Sequence, residues 1–326
     1  MHDMYVSMGL IVFGLAAGYA VQILASSGKV RLPLPLDVIR KDLQKFVLLF
    51  ISPVTVVGAI WTMDLGDIRI AVVPFIGILH FLIGGAVAVF VAKMLKLGRK
   101  ETGSFFSCGF FTNIGSIGGL VVYNLLGENG FALVPVYKML GDLVYYSVGF
   151  PVTKYFGTAS VSGDGPWDML KKVGQDIFVR VSIVSIAVGV LLNLSGIERP
   201  DVYSSVNAFL IPLNATLMLV AIGLAMHFKK VKCYIRECIF MSIIKFVIMP
   251  LILGAIAFSA GLGDLMQGLV LRVVVILSFM PVAFTALIPP SIYDLDLDLA
   301  NACWLVTTST LIIIVPFFSS LVKFLL

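Results

Sequence analysis

Long apolar stretches constrain this chain more than any other feature. A helix rising about 1.5 Å per residue needs about 20 mostly apolar residues to cross a hydrocarbon layer about 30 Å thick. Ten stretches of that kind follow one another, over residues 4–25, 43–61, 70–95, 103–126, 131–156, 173–194, 203–228, 237–260, 265–290 and 299–324. None shows the ten-residue alternation of a membrane barrel. The expected fold class is therefore an all-α integral membrane protein with ten transmembrane helices. The residue balance agrees: 60% of residues are hydrophobic and 13% charged, against roughly 25% charged in a soluble domain. A net charge of +5 with no basic cluster gives no reason to expect a nucleic-acid partner. Cys108, Cys233, Cys238 and Cys303 have neither C-x-x-C spacing nor a disulfide framework. The first residues lack the basic region of a signal peptide, so the first stretch is expected to be retained.

Loop charges orient the chain. Sixteen Lys and Arg residues fall in the loops of one side, among them Lys29, Arg40, Lys96, Lys171 and Lys230. The other side carries only Arg69, Arg199 and Lys323. The positive-inside rule puts the sixteen in the cytoplasm and both termini outside. The longest polar break, 157–166, leaves five stretches on either side. An odd number per half makes the halves enter the membrane from opposite faces, which is the topology of an inverted repeat. The expected domains are a first five-helix repeat over 1–156, a cytoplasmic linker over 157–172 and a second repeat over 173–326.

The fourth and ninth stretches are weakened at corresponding places. The fourth carries Thr112, Asn113 and Ser116 among Gly115, Gly118 and Gly119, and the ninth carries Ser278, Pro281, Thr285, Pro289 and Pro290. Glycine weakens a helix, and proline removes a backbone donor and clashes with the preceding turn. Simple close packing explains such residues in a single helix. Their occurrence in both halves is the better pointer to a transporter binding site. Amide N–H groups freed at half-helix N-termini favour an anion.

The Thr112-Asn113-Ile-Gly115-Ser-Ile-Gly118 segment, the following Gly127-Glu128-Asn129-Gly130, Met280-Pro281-Val-Ala283 and the late Thr308-Ser309-Thr310 resemble the auxin efflux carrier family of membrane transporters. The related bile acid:sodium symporter family shares the implied fold. The resemblance implies ten helices in two inverted five-helix repeats, with helices 4 and 9 broken and crossing. Spans 1, 2, 6 and 7 would form a scaffold and spans 3–5 and 8–10 a moving transport domain. Substrate would bind near the crossing, with Asn113, Gly115, Ser116, Gly118, Pro281 and Thr285 as candidates. Leu120 stands where family members usually carry proline, and Gly118-Gly119 is the expected replacement for that break.

Charges at membrane depth are costly and point to function unless they are paired. Arg180 and Arg272 lie near span starts, where long side chains reach the interface. Lys138, Asp142 and Lys245 lie deeper. Spaced i, i+4, Lys138 and Asp142 would share a helix face and could neutralise one another. Otherwise Asp142, with Lys138 and Lys245 nearby, is a candidate for proton coupling or charge compensation. His80 has a side chain that titrates near neutral pH, although a lone histidine is more often packing. Sodium is the rival coupling ion, with Thr112, Asn113, Ser116, Thr285, Ser309 and Thr310 as candidate oxygen ligands. The run Asp294-Leu-Asp296-Leu-Asp298 reads as a solvated loop and helix start.

Together these features lead to the expectation of a secondary active transporter moving a small organic anion such as a carboxylate, coupled to H+ or Na+. Its setting would be a lipid bilayer, in a prokaryotic inner membrane, with no cofactor. Pairing as a homodimer is left open. No Gly-x-x-x-x-Gly-Lys-Ser/Thr segment supports direct use of ATP, and no catalytic motif supports an enzyme. A bile-acid-type sodium symporter, a channel and a membrane sensor are the alternatives.

Overall fold

A computed structural model describes all residues except 1, 31–32, 64–66, 158–174, 176, 227–230 and 325–326, together with the side chains of 2–8, 37, 142, 146, 178–179 and 316–324. Almost all of the expected linker, Lys171, Lys230 and the Asp142 side chain lie outside the described residues. The regular structure that is described is helical, and the one piece of extended pairing is an isolated bridge between Thr112 and Val282.

In chain order the first half contains α1 (His2–Ser26), α2 (Leu36–Phe46), α3 (Ser52–Trp61), α4 (Val73–Met94), α5 (Arg99–Phe110), α6 (Gly119–Lys138), α7 (Gly141–Val144) and α8 (Phe150–Phe156). The second half contains α9 (Ile177–Leu194), α10 (Val202–Gly223), α11 (Ile235–Ile243), α12 (Met249–Ser259), α13 (Leu269–Ser278), α14 (Ile288–Ile292) and α15 (Leu297–Phe324). Seven helical stretches among the described residues are long and apolar enough to cross a membrane. The chain is therefore an integral membrane protein. Fewer stretches than the expected ten meet that length because breaks divide several of them. One of the seven, Ile114–Lys138, bridges two expected spans, with a kink at Gly127, whose φ of 70° and ψ of −164° leave the helix.

Prolines account for three of the irregularities. Wide π-helical turns at Val47–Ile51, Tyr145–Gly149 and Ile244–Ile248 each end two residues before a proline, namely Pro53, Pro151 and Pro250. A helical proline lacks an N–H and its ring presses on the carbonyl four residues back. That carbonyl lies inside the π turn in all three cases, and the wider turn moves it clear while keeping the chain helical.

Small residues let the helices touch. Helix α1 packs on α10, and α3 packs on α9. A side chain on Gly18 would strike the Val220 carbonyl, and one on Gly223 would strike that of Leu15. Helices α4 and α5 meet at Gly84 and Gly109, where a Cβ on either would collide with the other's carbonyl. Lipid gives no hydrophobic push between helices, so close backbone packing of this kind supplies the association. An aromatic cluster lies beside α5: the rings of Phe81 and Tyr145 are 4.8 Å apart, and those of Phe111 and Tyr145 are 4.6 Å apart.

Candidate functional site

Both expected breaks are present, and they meet. Helix α5 stops at Phe110, Phe111 turns extended, and a π-helical turn resumes at Ile114–Gly118. Helix α13 stops at Ser278, and helical structure resumes at Phe284–Leu287. Between the breaks, the Asn113 amide donates to the Pro281 carbonyl (2.9 Å) and the Ala283 amide donates to the Phe111 carbonyl (3.0 Å). Unpaired backbone groups at membrane depth cost several kcal/mol each. The two broken strands of chain therefore satisfy one another, and the crossing is held by their own backbones. Thr307 of α15 adds a hydroxyl that accepts from the Val282 amide (3.2 Å).

The break in the first half falls one turn before the glycines that were expected to make it. Gly118 and Gly119 have helical backbone angles. They serve packing instead: a Cβ on Gly118 would lie 2.9 Å from Leu277 Cδ2. Asn113 starts the resumed helix, and its side-chain oxygen accepts from the Ser116 hydroxyl (2.6 Å) and the Ile117 amide (3.4 Å). The Gly115 and Ser116 amides have no partner among the described residues. Helix N-termini of this kind carry partial positive charge and unpaired donors.

The break also leaves free carbonyls at the end of α5, and Lys245 answers one of them. Its ammonium, fully buried, donates to the Gly109 carbonyl and the Thr112 hydroxyl, both at 2.7 Å. A cation at a helix C-terminus opposes the dipole favourably. His80 is also fully buried and pairs through Nδ1 with the Tyr137 hydroxyl (2.9 Å), while its Nε2 has no partner among the described residues.

A cavity of about 310 Å³ opens beside the crossing, a size that suits a small-molecule ligand. One wall is the crossing itself, with Phe111, Asn113, Gly115, Ser116 and Thr285, and the opposite wall comes from α2, α3, α9 and α10, including Gln44, Ser52, Ser185 and Asn214. Among its described lining residues Lys138 alone is charged. Its ammonium lies 3.8 Å from the position a Cβ would take on Gly115, and no described residue hydrogen-bonds it or pairs with it. Helix α6 ends at Lys138 and α7 starts at Gly141, so Lys138 and Asp142 do not share a continuous helix as their spacing suggested.

The cavity thus gathers Thr112, Asn113, Gly115, Ser116, Thr285 and Lys138 from the candidates. Gly118, Pro281, His80 and Lys245 are not on its lining, although Pro281 and Lys245 hold the crossing. Ser309 and Thr310 lie on α15, outside the lining, with Ser309 exposed. Thr307 and the hydrogen-bonded pair Asn214–Ser52 (2.8 Å) escaped sequence reasoning, because nothing local separates them from hydroxyls and amides that merely pack. Thr307 lies beside the quoted Thr308-Ser309-Thr310, and that was the only signal.

Comparison with known proteins points to a membrane transporter. Residues 38–319 match the model of the membrane transport protein family. An uncharacterized transporter of Methanothermobacter thermautotrophicus is 22% identical over 278 residues, covering 85% of this chain and 87% of that protein. An uncharacterized transporter of Methanocaldococcus jannaschii is 26% identical over 244 residues, covering 74% of this chain and 73% of that protein. With its crossed breaks, apolar helices and a family match over most of its length, the chain belongs to the membrane transport protein family, of the auxin efflux carrier type.

Proposed function

We propose that this membrane transporter is a secondary active carrier of a small organic anion, with its binding site in the cavity at the crossing. The observation that carries the reading is the Lys138 ammonium, without a partner among the described residues, beside the Gly115 and Ser116 amides, which also have none there. A carboxylate entering there gains a counter-charge and two N–H donors, and hydrogen bonds to a charged acceptor are stronger than neutral ones. Asn113 positions the donors by capping the resumed helix, and Thr285 offers a hydroxyl from the other break.

The chain is read as ten spans in two inverted repeats, over 1–156 and 173–326 with a cytoplasmic linker, both termini outside and an inner-membrane setting. Support comes from mirrored packing. Helix α1 lies on α10 as α9 lies on α3, and α4 lies on α5 as α12 lies on α13. Spans 1, 2, 6 and 7 form a scaffold, and spans 3–5 and 8–10 carry the crossing past it in an elevator-like movement. The cavity lies between these two groups, as alternating access through such a movement requires.

Protons are favoured over sodium as the coupling ion, with Asp142 as the carrier. Thr112 was a candidate sodium ligand, but its hydroxyl oxygen is already held by the Lys245 ammonium, and the Asn113 side-chain oxygen accepts two hydrogen bonds. A bound sodium would have to displace a tethered cation. The test is uptake of labelled malate and of a labelled monocarboxylate into proteoliposomes under separate sodium and proton gradients, with Asp142→Asn alongside. Saturable uptake driven by a proton gradient, indifferent to sodium and lost in D142N, is expected. Sodium-driven uptake that survives D142N would overturn the coupling. Conductance beyond carrier turnover would make the protein a channel.

A further inference from the structure

One charged cluster takes no part in the cavity. Gly127 bends α6 with a positive φ that only glycine adopts easily, and the next residue, Glu128, leaves the bend. Its carboxylate is gripped by both terminal nitrogens of Arg199, through Oε1 at short range and through Oε2 at 3.1 Å, and it also accepts from Asn207 Nδ2 at 2.5 Å. The socket is also tied to its own helices. Arg199 also donates to the Gly58 carbonyl (2.7 Å) and the Ser204 hydroxyl (2.8 Å), and Asn207 Nδ2 donates to the Thr55 carbonyl (3.3 Å). The ion pair is largely shielded, with side-chain exposure of 9% for Arg199 and 21% for Glu128. Exposed ion pairs contribute little, but a desolvated bidentate pair with a third donor is costly to open.

The placement of the cluster gives it a role. Its socket is made by α3, α10 and the segment before α10, all in the scaffold group, whereas Glu128 hangs from α6, which leads from the crossing to Lys138. The cavity runs along α2 and α3 from Gln44 to Val56, and the Gly58 carbonyl that anchors Arg199 lies just beyond its Val56 end. We infer that Glu128 and the Arg199–Asn207 socket form a latch that seals one end of the cavity and sets which face of the membrane the site is open to. Opening that end requires the carboxylate to leave its socket, so the strength of the latch sets the balance between the two access states. The inference rests on the division into scaffold and moving group proposed above, but not on the nature of the cargo.

The test reads access without a substrate. In a background with exposed Cys233→Ser, which keeps the three buried cysteines, Val56→Cys places a thiol at the latch end of the cavity. A membrane-impermeant maleimide is applied to each face of sealed vesicles. The parent is expected to label from the face opposite the latch. Glu128→Gln, which keeps the size and removes the charge, is expected to raise labelling from the latch face about tenfold. Asn207→Ala, which removes one donor and leaves the ion pair, is expected to raise it about threefold. N207A decides the matter if E128Q does not run as a single folded species on gel filtration. Unchanged latch-face labelling in the folded variants, or equal labelling of the parent from both faces, would overturn the latch. If latch-face labelling rises while no organic anion is taken up by any variant, the latch stands and the cargo reading falls. If uptake is normal and labelling does not change, the latch alone falls.

Discussion

Lys138 and Lys245 are both cations placed deep in apolar spans by the sequence, yet the fold treats them in opposite ways. Lys245 sits in a π turn, fully buried, with its ammonium committed to the Gly109 carbonyl and the Thr112 hydroxyl. It belongs to the crossing as a structural cation at the C-terminus of a broken helix. Lys138 ends α6 half-buried, faces the cavity, and has no partner among the described residues. Depth in the membrane therefore does not distinguish a charge committed to the fold from one that faces the cavity. The distinction lies in whether the backbone nearby has already supplied the counter-charge.

Substitutions that separate the two lysines give the largest effects. Lys138→Gln is expected to lower anion uptake about 100-fold while leaving thermal stability close to the parent's, since a bound carboxylate loses the one cation among the described lining residues. Lys138→Arg should retain much of the uptake. Equal uptake by K138Q would move the anion elsewhere. Lys245→Met is expected to cost about 3 kcal/mol of stability, because two buried acceptors lose a charged donor, and thermal unfolding in detergent reads it directly. An unchanged midpoint would show that the crossing holds without its cation. Thr112→Val removes one of those two bonds and should cost about 1–2 kcal/mol in the same assay. Tyr137→Phe takes away the hydroxyl on His80 Nδ1 and should cost about 1 kcal/mol. The smallest effect is expected at Asp67, outside the spans, whose carboxyl is held below the ordinary range by side-chain hydrogen bonds from Arg69. A depressed carboxyl stabilises the fold above its unfolded pKa and loses that contribution as pH falls through the folded one. Asp67→Asn should therefore change the unfolding midpoint only slightly near neutral pH, and flatten its decline below about pH 4.

Much of this was legible from residue order. The paired weakness of the fourth and ninth spans gave the two breaks, and Pro281 marks the second correctly. The first break lies at Phe111–Asn113 rather than at Gly118-Gly119, because what ends α5 is backbone pairing with Pro281 and Ala283 from the other half, a contact no local pattern records. The π turns were written in Pro53, Pro151 and Pro250, each lying just after a widened turn. Lys138 and Asp142 fall on different helices despite their i, i+4 spacing, because the helix is interrupted at residues 139–140. Long-range polar partners were out of reach. Arg199 counted only as a loop charge, and its hold on Glu128, 71 residues away, depends on the packing of α6 against α3 and α10.

The most direct measurement is equilibrium binding of a labelled monocarboxylate to purified protein, comparing the parent with K138Q, K138R and K245M at matched amounts of folded material. The expected result is binding by the parent and K138R, and loss of about 100-fold in affinity for K138Q. Folded K245M is expected to keep measurable binding, because its lysine does not line the cavity. Parent-like binding by K138Q, with loss confined to K245M, would contradict the anion site at the crossing.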